Sequence, residues 1–169
     1  MKKTVTVILI ICLALSLCAC GGKKAEQEKV VRIGVFEPST GSFSAMGKQE
    51  ILGMQYAHSE TPTVTIRGET YKVELVPADS GSDPEQALSA ADELVNKNVS
   101  IVLGSYGSEL SLAASPGFEA AGVACIGISC TDPAITVGNS HYFRICAPDT
   151  LQADVLAGFA AARFGTGTA

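Results

Sequence analysis

Short β-branched and apolar runs alternate along this chain with longer stretches whose apolar positions recur at helical spacing. The clearest case runs from Ile101 to Thr136. Ile101-Val102-Leu103 breaks at Gly104, Ser108 to Ala121 is rich in Ala and Leu, and Val123 to Ile128 breaks into Ser129-Cys130-Thr131-Asp132-Pro133. Two strand-like runs bracketing one helix make a βαβ unit, with parallel strands and a right-handed crossover.

The same alternation extends in both directions. Val30 to Phe36 predicts a strand that opens into the turn-rich Glu37-Pro38-Ser39-Thr40-Gly41-Ser42, and Lys48 to His58 predicts a helix. Thr63–Ile66 and Tyr71–Val76 predict a hairpin around Arg67-Gly68-Glu69-Thr70, followed by a loop at Pro77 to Gly81. Asp83 is placed to cap the next helix, with Pro84 at its first position and Gln86 at the capping-box position. Ala87, Leu88, Ala91, Leu94 and Val95 form that helix's apolar stripe. Pro116 predicts a kink or a fresh start near Ser115, and Gly122 a helix end. Asp132-Pro133 predicts a short helix, His141 to Ile145 a strand, and Asp149 with Gln152 a second capping box. The last helix, Thr150 to Phe164, shows Leu151, Val155, Leu156 and Phe159 on one side. This order of elements is that of an α/β protein with a mostly parallel sheet.

In open parallel sheets, ligands bind outside the carboxyl ends of the strands. Ser105 and Ser108 lie just past the first strand of the βαβ unit, with Tyr106 between them, and Ser129 and Thr131 lie past the second. Ser108 stands where a helix N-cap would, beside free backbone N–H groups that favour an anion, so a small ligand with a carboxylate suits this rim. Ordinary turn and cap chemistry also places Ser, Thr and Gly in such loops. Catalysis has weaker support. Ser108 with His141 is the best hydrolase pair, but Gly104-Ser105-Tyr106-Gly107-Ser108 lacks the Gly-x-Ser-x-Gly elbow. Neither a P-loop nor Gly-x-Gly-x-x-Gly occurs. Asp79 and Asp83 raise the question of a metal or an acid–base pair, and capping accounts for Asp83. No metal, cofactor or catalytic group is expected.

The N-terminus adds a compartment. Lys2 and Lys3 precede an apolar segment, Thr4 to Leu17, too short to serve as a permanent membrane span. Leu17-Cys18-Ala19-Cys20 then resembles a bacterial lipobox, which implies a signal peptide at 1–19, diacylglyceryl transfer to the Cys20 thiol and cleavage before it. Residues 20–29 are polar enough to act as a flexible tether, leaving 30–169 as the domain. The leader carries two lysines and no acid, so its removal takes the net charge from −5 to −7. That acidity argues against nucleic acid binding and against coating anionic lipid, leaving the lipid itself as the membrane contact. Three of the six cysteines fall in the leader region, leaving Cys125, Cys130 and Cys146. Cys125 and Cys130 would stand roughly 16 Å apart on an extended run, too far to bridge. A Cys130–Cys146 bridge is possible, but buried free thiols are the favoured reading.

GSYGSELSLAASPGFEAAGV followed by IGISCTDPAIT resembles the first lobe of type I periplasmic binding proteins, and within that fold the branched-chain amino acid receptors of ABC transporters. The likeness runs from Val30 to about Gly165. It implies a three-layer α/β/α lobe, incomplete because family members have two lobes and roughly double this length. It implies a non-enzymatic receptor outside the cytoplasm that hands a small amino acid to permease subunits. An amide or urea receptor, or a sensor domain of the same fold, is the alternative. By this resemblance Ser108 and the amides behind it take the ligand carboxylate, while the Ser129 carbonyl and the Thr131 hydroxyl take its ammonium. Gly41 and Gly47 match the frame of the family's ligand-facing loop. Many relatives carry an aromatic just before the second Gly; here Met46 occupies that place and would line the pocket instead.

Overall fold

The computed structural model describes residues 28–165. The leader, Cys20 and nearly all of the tether lie outside that span.

Six strands form one sheet: β1 (Val30–Glu37), β2 (Thr63–Ile66), β3 (Glu69–Asp79), β4 (Ile101–Gly104), β5 (Ala124–Gly127) and β6 (Tyr142–Arg144). Their spatial order is β2-β3-β1-β4-β5-β6, with every pairing parallel except β2 with β3. The chain steps from β1 out to β3, then crosses back over β1 to reach β4. The strand order therefore reverses beside β1, at the position where open α/β sheets form a crevice.

Side-chain alternation assigns the two faces. Phe36, Val76, Ala78, Val102, Cys125 and Tyr142 join one core with helices α2 (Pro84–Asn96) and α3 (Ser108–Ala120), through Ala87, Ala90, Ala91, Leu94, Leu110, Ala114 and Phe118. Phe36 meets Phe118 edge-on at 5.6 Å between ring centres. The opposite face, with Ile33, Val73, Leu75 and Leu103, looks toward helix α1 (Ser44–Glu60) and its Met54. Helices thus lie on both sides of a mostly parallel sheet, as the sequence implies.

Several elements differ in detail. Helix α1 starts four residues before Lys48, and Gly47 is buried inside it. A Cβ at Gly47 would overlap the Pro38 carbonyl oxygen, so glycine here lets the helix press against the loop after β1. The β2–β3 turn is two residues long, with Ile66 opposite Glu69. Arg67 and Gly68 both have positive φ, +52° and +82°, the twist that a two-residue hairpin demands. Leu88 faces solvent, whereas Ala90 takes its expected place in the core. The Asp83 carboxylate accepts the Gln86 amide at 2.9 Å, but the Gln86 side chain turns to the Asp79 carbonyl at 3.4 Å, leaving the box half made. Helix α3 continues through Pro116 rather than restarting at Ser115.

The last helix, α4 (Asp149–Phe164), follows a short 3₁₀ turn at Pro133–Thr136 and strand β6. No capping box forms at its start: Pro148 precedes it, and the Gln152 side chain donates to the Ala147 carbonyl at 2.9 Å. Leu151, Val155, Leu156 and Phe159 are exposed, so the apolar stripe has no packing partner among the described residues. Cys125, Cys130 and Cys146 are all free thiols. The Cys146 thiol donates to the Cys130 carbonyl at 3.3 Å, and Cys146 is half-buried where full burial was expected. Among the described residues no helix is long and apolar enough to cross a membrane.

Candidate functional site

The loops after β1, β3, β4 and β5 leave the same edge of the sheet, because these four strands are parallel. Their closeness depends on Gly104. A Cβ there would overlap the Phe36 carbonyl oxygen and stand 2.7 Å from Glu37 Oε1, so only glycine lets the end of β4 lie against the end of β1.

The sequence-derived residues divide into rim and interior. Ser108 is the first residue of α3, with Gly107 at the cap position, so Ser108 does not cap the helix as expected. Its hydroxyl oxygen instead accepts the Asp132 amide at 3.2 Å, which joins the loop after β5 to the start of α3. Thr131 sits beside it, half-buried, with its carbonyl accepting the Asp149 amide at 3.0 Å. Ser129 is half-buried and its hydroxyl donates to Glu50 Oε1 at 2.5 Å, leaving the carbonyl as the group of interest. Ser105 departs from expectation. It is fully buried, donating to the Gly107 carbonyl at 3.2 Å and meeting the Ser111 hydroxyl at 2.9 Å. That hydroxyl belongs to a buried polar network. Tyr142 donates to the Gly104 carbonyl at 3.2 Å, its phenol oxygen meets the Ser111 hydroxyl at 2.9 Å, and Cys130 meets the same oxygen at 3.3 Å. Burial pushes the Tyr142 phenol and the Cys125 thiol upward, the thiol to about 12, so both stay neutral.

Two aromatic rings stand at the rim. Tyr106 packs edge-on against Phe43, from the loop after β1, at 5.8 Å between centres. Phe43 escaped the sequence reading, which looked for an aromatic at position 46; Met46 is 44% exposed on the first turn of α1. His141 lies elsewhere, its ring meeting the Ser140 hydroxyl at 3.0 Å, so Ser108 and His141 do not form a nucleophile–base pair.

Carboxylates organise the loops. Asp79 accepts the Ser39 amide at 2.8 Å, the Thr40 amide at 3.2 Å, the Thr40 hydroxyl at 2.6 Å and the Gly81 amide at 2.9 Å. Partial burial works against its charge, yet the Thr40 hydroxyl and the three amides outweigh that and pull its pKa down to about 2. Asp79 is therefore a loop staple, not half of an acid–base pair. Glu37 behaves oppositely. Burial first, then the neighbouring Glu50 carboxylate, push it up to about 9 against the opposing Tyr106 N–H. Among the described residues, no three His, Cys, Asp or Glu side chains gather as metal ligands would.

A family model described as "Periplasmic binding protein" matches residues 30–169. An "Amino acid binding protein" of Pseudomonas aeruginosa is 34% identical over 143 residues, covering 83% of this chain and 38% of that protein. A "Leu/Ile/Val-binding protein homolog 2" of Brucella abortus is 31% identical over 154 residues, covering 90% and 39%. Among solved structures, the leucine-binding protein LivK of Thermotoga maritima superposes with a TM-score of 0.72 at 34% identity, covering 80% of this chain and 38% of that one. LivJ of Streptococcus pneumoniae, in complex with isoleucine, gives 0.70 at 27%, covering 80% and 39%. The chain thus spans under two fifths of the length of these relatives.

Proposed function

The chain belongs to the periplasmic binding protein family, and on that premise we propose that it is the first lobe of a receptor that captures a small amino acid of the branched-chain type and delivers it to an ABC transporter permease. The observation that supports this reading is the bond from the Asp132 amide to the Ser108 hydroxyl, which fixes the loop carrying Ser129 and Thr131 against the start of α3. The free amides at the start of α3 favour a carboxylate, and the Ser129 carbonyl with the Thr131 hydroxyl offers acceptors for an ammonium. Three of the four relatives named above are described as binding leucine, isoleucine or valine, and the fourth as binding an amino acid, which supports this ligand class. Phe43, Tyr106 and Met46 supply apolar surface beside the polar contacts, as an aliphatic side chain requires.

The receptor is read as a lipoprotein on the outer face of the cell membrane, anchored through Cys20 and touching the bilayer by lipid alone. The support is Leu17-Cys18-Ala19-Cys20 behind a basic, apolar leader. Mass spectrometry of the N-terminal peptide should find acyl chains on Cys20; an unmodified N-terminus at another residue refutes the anchor.

Calorimetry of the full-length receptor against leucine, isoleucine, valine, urea and short amides tests the ligand class. Amino acids should bind and urea should not; the reverse would favour the amide receptor. Hydrogen bonds to charged groups contribute about 1.5–3 kcal/mol each, so Ser108→Ala should weaken amino acid binding by roughly tenfold to a hundredfold. Unchanged affinity would remove Ser108 from the site.

A further inference from the structure

Beneath the rim two carboxyl groups meet with no opposite charge between them. Glu37, at the end of β1, is fully buried; its Oε2 accepts the Tyr106 amide at 2.9 Å, and its Oε1 is sealed from water without a hydrogen-bond partner. Glu50, on the second turn of α1, accepts the Ser129 hydroxyl on Oε1, and its Oε2 is likewise sealed and unpartnered. The two side chains are within hydrogen-bonding reach of each other. Two desolvated acceptors facing one another would repel, and each would lack a donor. One proton held between them satisfies both.

Other occupants fit worse. The atoms are closed to solvent, so no ligand group enters without opening the fold. A hard cation takes about six or more oxygens, and only two are free here. Surrounding charges offer no compensation. Asp79, opposite Glu37 in register on β3, is committed to Ser39, Thr40 and Gly81. Arg144, on β6, is committed to Cys130, Pro133 and Thr136. Cys146 lies near Glu50 and carries no positive charge. The ion pairs among the described residues lie elsewhere, at Lys29, Arg32, Lys72 and Lys97.

We propose that Glu37 and Glu50 share one proton and act as a strut that positions the ligand rim. Through Ser129 and the Tyr106 amide, this pair ties α1 to the loops after β4 and β5, with β1 as its base. Neither glutamate touches ligand; both hold residues that do. The inference rests on the reading of this rim as the amino acid site.

The test uses the full-length protein and three readouts. Infrared difference spectra of wild type against Glu37→Gln at pH 7 should contain the carbonyl band of one protonated carboxylic acid. Glu37→Ala should displace the Tyr106 and Ser129 amide resonances, and Glu37→Gln should bring them back, because its side-chain amide donates to Glu50 where the acid did. Leucine calorimetry should follow the same order. Glu37→Ala should lose about tenfold or more in affinity, Glu37→Gln should recover most of it, and wild type should weaken relative to Glu37→Gln above about pH 9. Absence of the acid band, or a Glu37→Gln variant as disruptive as Glu37→Ala, overturns the strut. Should Glu37→Ala fail to fold, the band and the pH comparison decide. Should leucine, isoleucine and valine bind no form of the protein, the ligand reading fails, while the band and the amide shifts still judge the strut.

Discussion

Replacing Glu37 by glutamine should stabilise this protein, and increasingly so as the pH rises. The wild-type carboxyl has an ordinary pKa of 4.5 when unfolded and about 9 in the folded chain, where burial and Glu50 oppose its ionisation. Between those values the folded state holds a proton that the unfolded state has released. Stability therefore falls with rising pH across that window, is intact below its lower end and is level above its upper end. Each unit costs about 1.4 kcal/mol, so the accumulated penalty approaches about 3 kcal/mol at pH 7 and about 6 kcal/mol at pH 9. Glutamine has the same shape, still accepts the Tyr106 amide and has no proton to lose. The variant should therefore match wild type near pH 4 and exceed it by up to about 3 kcal/mol at pH 7. Denaturant unfolding of both full-length proteins at pH 5, 7 and 9, followed by circular dichroism, measures the difference. Parallel curves for the two proteins would show that Glu37 ionises normally and would refute the reasoning. A variant less stable than wild type at pH 9 would show that the carboxylate charge is wanted.

Asp79 should behave in the opposite sense: its depressed pKa of about 2 contributes stability above its ordinary 3.8 that is lost as pH falls. Asp79→Asn should cost up to about 2 kcal/mol at pH 7, less whatever solvent screening removes at this half-buried site, and nothing near pH 2; a pH-independent deficit would refute the charge argument. Gly47→Ala should destabilise by about 1–3 kcal/mol, because the added methyl meets the Pro38 carbonyl, and an unchanged melting temperature would contradict that close approach. On the proposed reading of one lobe of a two-lobed receptor, residues 1–169 alone should bind leucine about a thousandfold or more below the two-lobed protein, since three charge-assisted bonds left in water forfeit about 4.5–9 kcal/mol. Equal affinity in calorimetry would place the whole site within one lobe.

The sheet was legible because its strands carry their own punctuation. Val30 to Phe36, Ile101 to Leu103 and Val123 to Ile128 are apolar runs halted by a polar residue or a glycine, and each lies within two residues of an observed strand. Errors gathered where a polar side chain had two partners to choose between. Gln86 and Gln152 both stand at capping-box positions, and both turn to a carbonyl outside the box, at Asp79 and Ala147. The spacing shows that a cap is available, while tertiary neighbours decide whether it is taken. The hairpin shows the same limit at the backbone. Arg67-Gly68-Glu69-Thr70 reads as a four-residue turn until Arg67 accepts a left-handed conformation that its side chain does not advertise.

The rim was half legible for a related reason. Hydroxyls after strand ends can be found by position alone, and position alone selected Ser108, Ser129 and Thr131. It also selected Ser105, whose hydroxyl turns inward to Ser111. Glu37 reads as the first residue of a turn-rich loop, since Pro38-Ser39-Thr40-Gly41-Ser42 follows it, and charged residues are rarely buried. Its burial is a consequence of packing from a distance. Gly47 lets α1 lie on Pro38, and Glu50, three residues further along the helix, is carried on the same face toward Glu37. The acid at the strand end, the glycine and the second acid thus form one device spread over fourteen positions, from 37 to 50. The sequence reading had noticed Gly47 as part of a ligand-facing loop. The structure gives that glycine a physical task, letting the helix lie on the loop after β1 and carrying Glu50 toward Glu37. Widening that contact with Gly47→Ala should then lower the Glu37 pKa as well as the stability, joining the two effects in one substitution.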